Sequence, residues 1–338
     1  MTARAAAWLG PDTTDSTPHR RPRLVVLRAR GLGDMLTAVP ALRALARAFP
    51  EHTRVLLAPH TLRGLIELVT LHGEPVVDRV TPFAGLDAPV PAEYGPDIAI
   101  NLHGRGPRSH RVLRALHPRR LLAFGCPAEG VPGPRWPGDE HDVRRWSALL
   151  AHDGIPVDPG DLAIDVPPTS WAVPGATVVH PGAASPARRW PPSRWAEVAA
   201  QERRGGRRVL VTGSATERPI AMAVAREAGL PEGDVLAGRT GLRDLVGVVA
   251  RAGRLVCGDT GIAHVATAVG APSVVLFGPA APAQCGPPPE RPQHVSLWAG
   301  HHGDPQASTP DPGLLRITVG DVLTALDLLP VQRVRQLG

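Results

Sequence analysis

The chain has 338 residues, 43% hydrophobic and 20% charged. It is too long for one ordinary domain and comfortable for two, and it reads as a soluble globular protein. No apolar run approaches the roughly 18 residues of a membrane span, and three scattered cysteines, Cys126, Cys257 and Cys285, form neither a disulfide framework nor a zinc pattern and suit a reducing cytoplasm. The net charge is +6 and the isoelectric point about 10.6, with arginine as the sole basic side chain other than histidine. The arginines are scattered and no helix-turn-helix, zinc-finger or RNP signature accompanies them, so nucleic acid is not expected as a partner. An anionic small substrate, an anionic membrane face or GC-rich coding accounts for the balance.

Residues 1–21 turn polar after a short AAAWL patch, too short for a secretory h-region of roughly 7–15 apolar residues, and are expected to be a disordered leader. An alternation of strand and helix follows. RLVVLR (23–28) is an apolar, β-branched run suited to a buried parallel strand. DMLTAVPALRALARAF (34–49) repeats apolar residues at helical spacing, with Pro40 either kinking it or sitting in a tolerated turn. A strand is expected at 53–58, a helix at 61–69, a strand at 97–102, a basic helix near 109–116, a strand at 120–124 and a helix at 141–154. The stretch 155–177 is rich in proline and glycine and reads as a linker. The second half repeats the pattern. Strands are expected at 177–180, 207–212, 254–258 and 273–277, and helices at 192–204, 217–229, 242–253 and 261–270. A loop runs over 278–313, and an amphipathic helix closes the chain at 318–329. Such alternation predicts parallel sheets covered by helices, two Rossmann-like domains facing across a cleft, with ligands beyond the carboxyl ends of the strands. The divisions are 22–165 for an N-terminal domain, 166–317 for a C-terminal domain, and 318–338 for a terminal helix packing back on the N-terminal domain.

Four loops lie at strand ends. In ARGLGDML (29–36), Gly31 and Gly33 let the turn pass close to a ligand, and Asp34 is either an N-cap or a carboxylate placed to take a proton from a hydroxyl. The stretch is neither a full G-x-G-x-x-G nor a Walker loop. HPGAASPARRW (180–190) offers backbone N–H groups near Gly182 and Ala183, the Ser185 hydroxyl, and Arg188 and Arg189, which either clamp a phosphate or form a solvated basic loop. In VTGSATERP (211–219), Gly213 and Ser214 make the turn. Glu217 accepts hydrogen bonds from ribose hydroxyls or complements the dipole of the helix it opens. In VCGDTGIAHVATAVGAP (256–272), Asp259-Thr260-Gly261 leads into a helix N-terminus whose free N–H groups favour phosphate, with His264 on the first turn. The plainer alternative is an N-cap and a satisfied histidine. No convincing metal site is present: there is no D-x-D, and His301, His302 and Asp304 lie in a proline-rich loop. No G-x-S-x-G supports a hydrolase.

Taken in order, LVVLRARGLGDMLTAVPALRAL, VVHPGAASPARRWPPSRWAEV, VLVTGSATE and LAGRTGLRDLVGVVARAGRLVCGDTGIAHVATAVGAPSVVLFGP resemble glycosyltransferase family 9, the heptosyltransferase family, over roughly 23–50 and 177–279. The resemblance implies a GT-B fold and metal-independent, inverting transfer from a nucleotide-sugar donor, typically ADP-heptose, to an acceptor hydroxyl, with no cofactor. It makes Asp34 the catalytic base. Arg188 falls where the family usually has a lysine on the donor phosphates, a change that keeps the charge and alters the geometry. Glu217 matches the ribose contact and Asp259 the contact to the donor sugar. Thr260 and Gly261 match backbone contacts to the diphosphate, with His264 on the same turn. Gly182, Ala183 and Ser185 would add donors to the diphosphate, and Gly213 would line the nucleoside. The acceptor, expected on the N-terminal side, is a glycan, a lipid carrier or a secondary metabolite. The chain is expected in the cytoplasm, with an acceptor at the membrane placing it on the inner face. A non-catalytic nucleotide-sugar-binding protein and a sugar-nucleotide epimerase share the fold and are the competing readings.

Overall fold

Short runs of β-branched and aliphatic residues with no polar face must be buried on both sides, and the computed structural model, which describes residues 21–330, places them in the middle of two all-parallel sheets. The leader expectation, Arg21 aside, and the last eight residues of the terminal segment lie outside the described residues. The chain divides into two compact units between Asp161 and Leu162.

The first unit runs β1 (Arg23–Leu27), α1 (Leu32–Thr37), α2 (Val39–Ala48), β2 (Thr53–Ala58), α3 (Arg63–Ile66), a ribbon of β3 (Thr70–Leu71) and β4 (Glu74–Pro75), β5 (Arg79–Pro82), β6 (Ile98–Asn101), α4 (Arg108–Arg114), β7 (Arg120–Leu122) and α5 (Asp142–His152). Its sheet has the order β5-β2-β1-β6-β7, with Val25 in register with Val55 and Ala99. Val25, Leu27, Val55, Leu57 and Ala99 share one face and pack with Val112, Leu113 and Leu116 of the α4 region, while α2 and α5 pack on one another.

The second unit runs β8 (Thr177–His180), α6 (Pro192–Arg204), β9 (Val209–Val211), α7 (Arg218–Glu227), α8 (Leu242–Arg251), β10 (Arg254–Gly258), α9 (Gly261–Val269), β11 (Ser273–Phe277), α10 (Pro282–Cys285), β12 (His294–Trp298), α11 (Pro312–Arg316) and α12 (Val319–Asp327). The sheet order is β12-β11-β10-β8-β9. Val179, Val211, Val256, Val274 and Leu276 form one face of a core with α6, α7 and α12, and period-two alternation turns the intervening strand residues the other way. Trp190 and Trp195 meet edge to face at 4.9 Å in that core, an arrangement worth ~0.5–1.5 kcal/mol beyond the area buried. The closing helix α12 lies on α6, β11 and β12 of its own unit.

The helix expected over 34–49 is two helices. Ala38 both ends α1 and begins α2, and Pro40 sits in the first turn of α2, where its missing N–H would have had no helical partner. The helix therefore begins at Leu32, with Gly31 rather than Asp34 at its N-cap. The loop expected over 278–313 contains β12, an edge strand paired with β11 from Ser273↔His294 to Phe277↔Trp298.

Candidate active site

At the carboxyl end of β1 the chain turns through Arg28–Gly31 into α1. Gly31 has φ −74° and ψ −178°, a conformation open to any residue, and offers no side-chain cap; what it supplies is room, since an added Cβ would meet the Asp34 Oδ2 at an ordinary 3.8 Å. Gly33 lies within α1. Asp34 stands in the first helical turn with its side chain 34% exposed. Among the described residues its carboxylate caps no N–H. Oδ1 is 3.4 Å from Arg30 Nε and 3.5 Å from an Arg28 terminal nitrogen. Its backbone carbonyl accepts from Arg28 Nε and from the Thr37 hydroxyl, both at 2.8 Å. The loop after β6 adds His103, whose backbone N–H donates to Asn101 Oδ1 at 3.0 Å. Burial, then the charges of Arg30, Arg28 and Arg108, outweigh the pull of Asp34 and push the His103 imidazole from 6.5 down to about 4, so it is neutral at pH 7.

At the end of β8, Gly182 and Ala183 are buried. An added Cβ on Gly182 would fall 2.2 Å from Glu217 Oε1, so glycine here is what lets the acid approach the 181–183 backbone. Glu217 is fastened from the other side: its Oε2 accepts the Ser214 N–H at 2.7 Å and the Ser214 hydroxyl at 2.8 Å, the capping box that starts the turn into α7. Burial raises the Glu217 carboxyl, but the Ser214 N–H, His180, the Ser214 hydroxyl and Arg189 together hold it below its usual 4.5. Oε1 is left facing Gly182. Beneath it, His180 is buried and held below its ordinary value by desolvation, with Nδ1 3.0 Å from the Thr212 hydroxyl. Gly213 packs closely, its added Cβ lying 3.2 Å from the Glu217 Cβ.

Ser185 is buried, and its hydroxyl accepts the Ala187 N–H at 3.2 Å, capping the turn Pro186–Arg188; it shapes the loop. Arg189 donates to the Ala183 carbonyl at 2.9 Å. Arg188 reaches β10: one terminal nitrogen is 3.3 Å from the Asp259 carbonyl and 3.6 Å from Asp259 Oδ2, while Nε is buried with no partner among the described residues.

Asp259 is buried just past β10. Its N–H belongs to the sheet, donating to Leu276 O at 2.9 Å, and its Oδ1 accepts from Cys285 Sγ at 3.7 Å. Thr260 is the N-cap of α9 without a side-chain cap bond, so Gly261 and Ile262 present N–H groups at the positive end of a nine-residue helix. The helix closes on Gly270 at φ 71°, a left-handed position suited to glycine. His264 sits one turn into the helix, half-buried.

The structure thus joins Gly182 with Glu217, and Arg188 with Asp259, in the second unit, and gathers Gly31, Gly33 and Asp34 in the first. Arg28, Thr37, His103 and Asp142 around Asp34 were not among the residues expected from sequence. Arg28 and Thr37 flank Asp34 in the same stretch of chain, whereas His103 and Asp142 come from separate segments that no spacing marks. Among the described residues no three His, Cys, Asp or Glu converge as a metal site, and no helix is long and apolar enough to cross a membrane.

The model of glycosyltransferase family 9 (heptosyltransferase) matches residues 134–311. Lipopolysaccharide heptosyltransferase 2 of Escherichia coli is 33% identical over 163 residues, 45% of this chain and 46% of that one. Lipopolysaccharide heptosyltransferase 1 of Pseudomonas aeruginosa is 35% identical over 208 residues, 60% of this chain and 49% of that one. The chain therefore spans about half the length, or less, of the curated relatives it matches. In fold it is similar to a glycosyl transferase family 9 protein from Veillonella parvula, with a TM-score of 0.71, 20% identity and coverage of 90% of this chain and 96% of that one. It is similar likewise to E. coli ADP-heptose lps heptosyltransferase II, with a TM-score of 0.70, 22% identity and coverage of 90% and 97%. The two parallel sheets are the two Rossmann-like domains of a GT-B fold.

Proposed function

The chain belongs to glycosyltransferase family 9, and from that membership we propose that it moves a sugar, heptose from ADP-heptose in the first instance, onto an acceptor hydroxyl by metal-independent, inverting transfer. The observation that carries the reading is Asp34: a part-exposed carboxylate in the first turn of a helix, at the carboxyl end of a central parallel strand, that caps no N–H. The acceptor oxygen attacks the anomeric carbon from the side opposite the nucleotide. As the new C–O bond forms, the bond to the β-phosphate breaks, and the hydroxyl proton passes to Asp34. Negative charge accumulates on the departing diphosphate. The Gly261 and Ile262 N–H groups, the dipole of α9, the amides near Gly182 and Ala183, and the Arg188 guanidinium supply the compensating positive charge. Asp259 and His264 face the donor sugar and diphosphate, and Glu217 Oε1 accepts from the ribose, its other oxygen being held by Ser214. The acceptor is a hydroxyl of a glycan, lipid carrier or secondary metabolite, with the protein acting in the cytoplasm, at the inner membrane face where the acceptor is a lipid.

The test is thermal stabilisation and calorimetry with ADP-, GDP- and UDP-sugars, followed by NMR of the glycoside formed. ADP-heptose should stabilise the protein above the others, in chelator as in magnesium, and give a product of inverted anomeric configuration. A retained configuration, or an ADP-heptose response that vanishes with chelator, overturns the mechanism.

A further inference from the structure

Arg28 is a cation with no exposure to solvent, a placement that costs several kcal/mol unless the charge is matched and its donors are satisfied. Its Nε donates to the Asp34 carbonyl at 2.8 Å, and one terminal nitrogen to the Leu102 carbonyl at 2.6 Å. The other reaches the Thr37 hydroxyl at 2.9 Å, Asp142 Oδ2 at 3.2 Å and Asp34 Oδ1 at 3.5 Å. The guanidinium lies 4.8 Å from the centre of the Trp146 ring. These partners belong to α1, to the segment after β6 and to the first turn of α5. The Thr37 hydroxyl in turn donates to the Asp34 carbonyl at 2.8 Å, closing a ring of bonds around the backbone of Asp34.

Helix α1 needs that ring. It has six residues and no side-chain cap at Gly31, and so short a helix has little stability of its own. The orientation of Asp34 must come from tertiary anchors, and Arg28 holds it at both the carbonyl and the carboxylate. Arg28 and Arg30 both approach Oδ1, which leaves Oδ2 as the oxygen without an arginine among the described residues.

We propose that Arg28, with Thr37 as its bridge, is a positioning residue for transfer: it fixes α1 and turns Asp34 so that Oδ2 receives the acceptor proton. The inference rests on the reading of Asp34 as the base. Lysine cannot replace it, because one ammonium has three donors on a single atom and cannot span carbonyls and carboxylates on three segments.

The experiment uses ADP-heptose with water in place of the acceptor hydroxyl, following ADP release at steady state. Arg28→Lys should keep the far-UV spectrum and the KM for ADP-heptose and lose kcat about 100-fold, the scale of an ångström of misplacement at a reacting group. Thr37→Val, which keeps the shape and removes the bridge, should lower kcat in the same direction, and Thr37→Ser should restore it. In an Asp34→Asn background none of these should lower the residual rate further, because they act through Asp34; a merely structural role would persist there. If Arg28→Lys fails to fold, the Thr37 pair decides alone. Full turnover by folded Arg28→Lys or by Thr37→Val, or an undiminished effect in the Asp34→Asn background, overturns the proposal while leaving the base reading in place. Full turnover by Asp34→Asn, or no ADP release by the unaltered protein, overturns both.

Discussion

Replacing Gly182 by alanine tests the nucleoside end of the site, and its consequence can be worked from the packing. The new Cβ would stand 2.2 Å from Glu217 Oε1 and 2.3 Å from Cδ, where ordinary contact begins at 3.4 Å. Gly182 is buried, and the atoms its new Cβ would meet all belong to the Glu217 side chain, so the carboxylate must retreat by about 1 Å. That retreat breaks the 2.7 Å and 2.8 Å bonds to Ser214. Losing such a cap costs ~1–2 kcal/mol, against which the stiffer unfolded chain returns ~0.4–1 kcal/mol. The net loss is about 1 kcal/mol, a fall of roughly 2–4 °C in Tm for a domain of this size. ADP affinity should fall further, about tenfold, because a displaced Glu217 no longer meets the ribose. Thermal unfolding and calorimetry with ADP measure the two effects, and Gly233→Ala, where an added Cβ meets nothing within 4 Å, is the control. A Gly182→Ala protein that melts and binds ADP like the unaltered chain would refute the placement of Glu217 and the nucleoside site built on it.

Three further outcomes are expected. Asp34→Asn should fold and bind ADP normally while losing transfer by about 100-fold or more, the usual weight of a general base, and steady-state ADP release checks it. Arg188→Ala should weaken ADP by roughly 10–100-fold, a charged hydrogen bond's worth, with little change in Tm, since the contacts it loses to Asp259 are long, 3.3 and 3.6 Å; unchanged ADP affinity by calorimetry would remove it from the phosphate site. Acid should destabilise the second unit through His294. Burial and Arg291 push this imidazole from 6.5 down to about 4, its Nδ1 pairing with Ser273 at 2.8 Å. The unfolded chain takes up a proton below pH 6.5 that the fold refuses until about pH 4, so stability is lost as pH falls through that window. By pH 5 the loss is ~2 kcal/mol, and urea midpoints at pH 7 and pH 5 should separate more in the native chain than in His294→Gln.

The parallel strands were legible because a strand buried on both faces is an uninterrupted apolar run, as in LVVL, VLLA and SVVLF. The break between α1 and α2 was not, because the apolar spacing runs on through Thr37 and Ala38 and Pro40 is tolerated in a first turn. Strand β12 was hidden for a different reason: HVSLW is a partly exposed edge segment in a stretch crowded with prolines and glycines, and only its pairing with β11 makes it a strand. The loops carrying Asp34, Arg188, Glu217 and Asp259 could be read in advance because each follows a recognisable strand and contains glycine or proline. The partners that come from distant segments could not. Asp142 is 114 residues from Arg28 in sequence, and contacts at that separation leave no local pattern.

Arginine as the chain's only strong base has a structural consequence that its net charge conceals. Arg254 on β10 is buried, donating through Nε and one terminal nitrogen to Glu202 at 2.7 and 2.5 Å and through the other to Leu326 O at 2.8 Å, so that one side chain ties a strand to α6 and α12. Arg43 does the same for Thr70 O and Asp161, at 2.7 Å each, and Arg28 for Asp34, Leu102, Thr37 and Asp142. A planar fork with five donors can satisfy carbonyls and carboxylates on several elements at once, which an ammonium cannot. Part of the positive charge is therefore spent inside the fold and contributes little to any basic surface. Arg188 differs from these three. Its contacts are at the edge of hydrogen-bonding range and its Nε has no partner among the described residues, which leaves unspent donors beside the N-terminus of α9. A structural arginine has its donors satisfied before any ligand arrives, whereas one that meets a diphosphate must hold donors in reserve, and Arg188 satisfies that second condition.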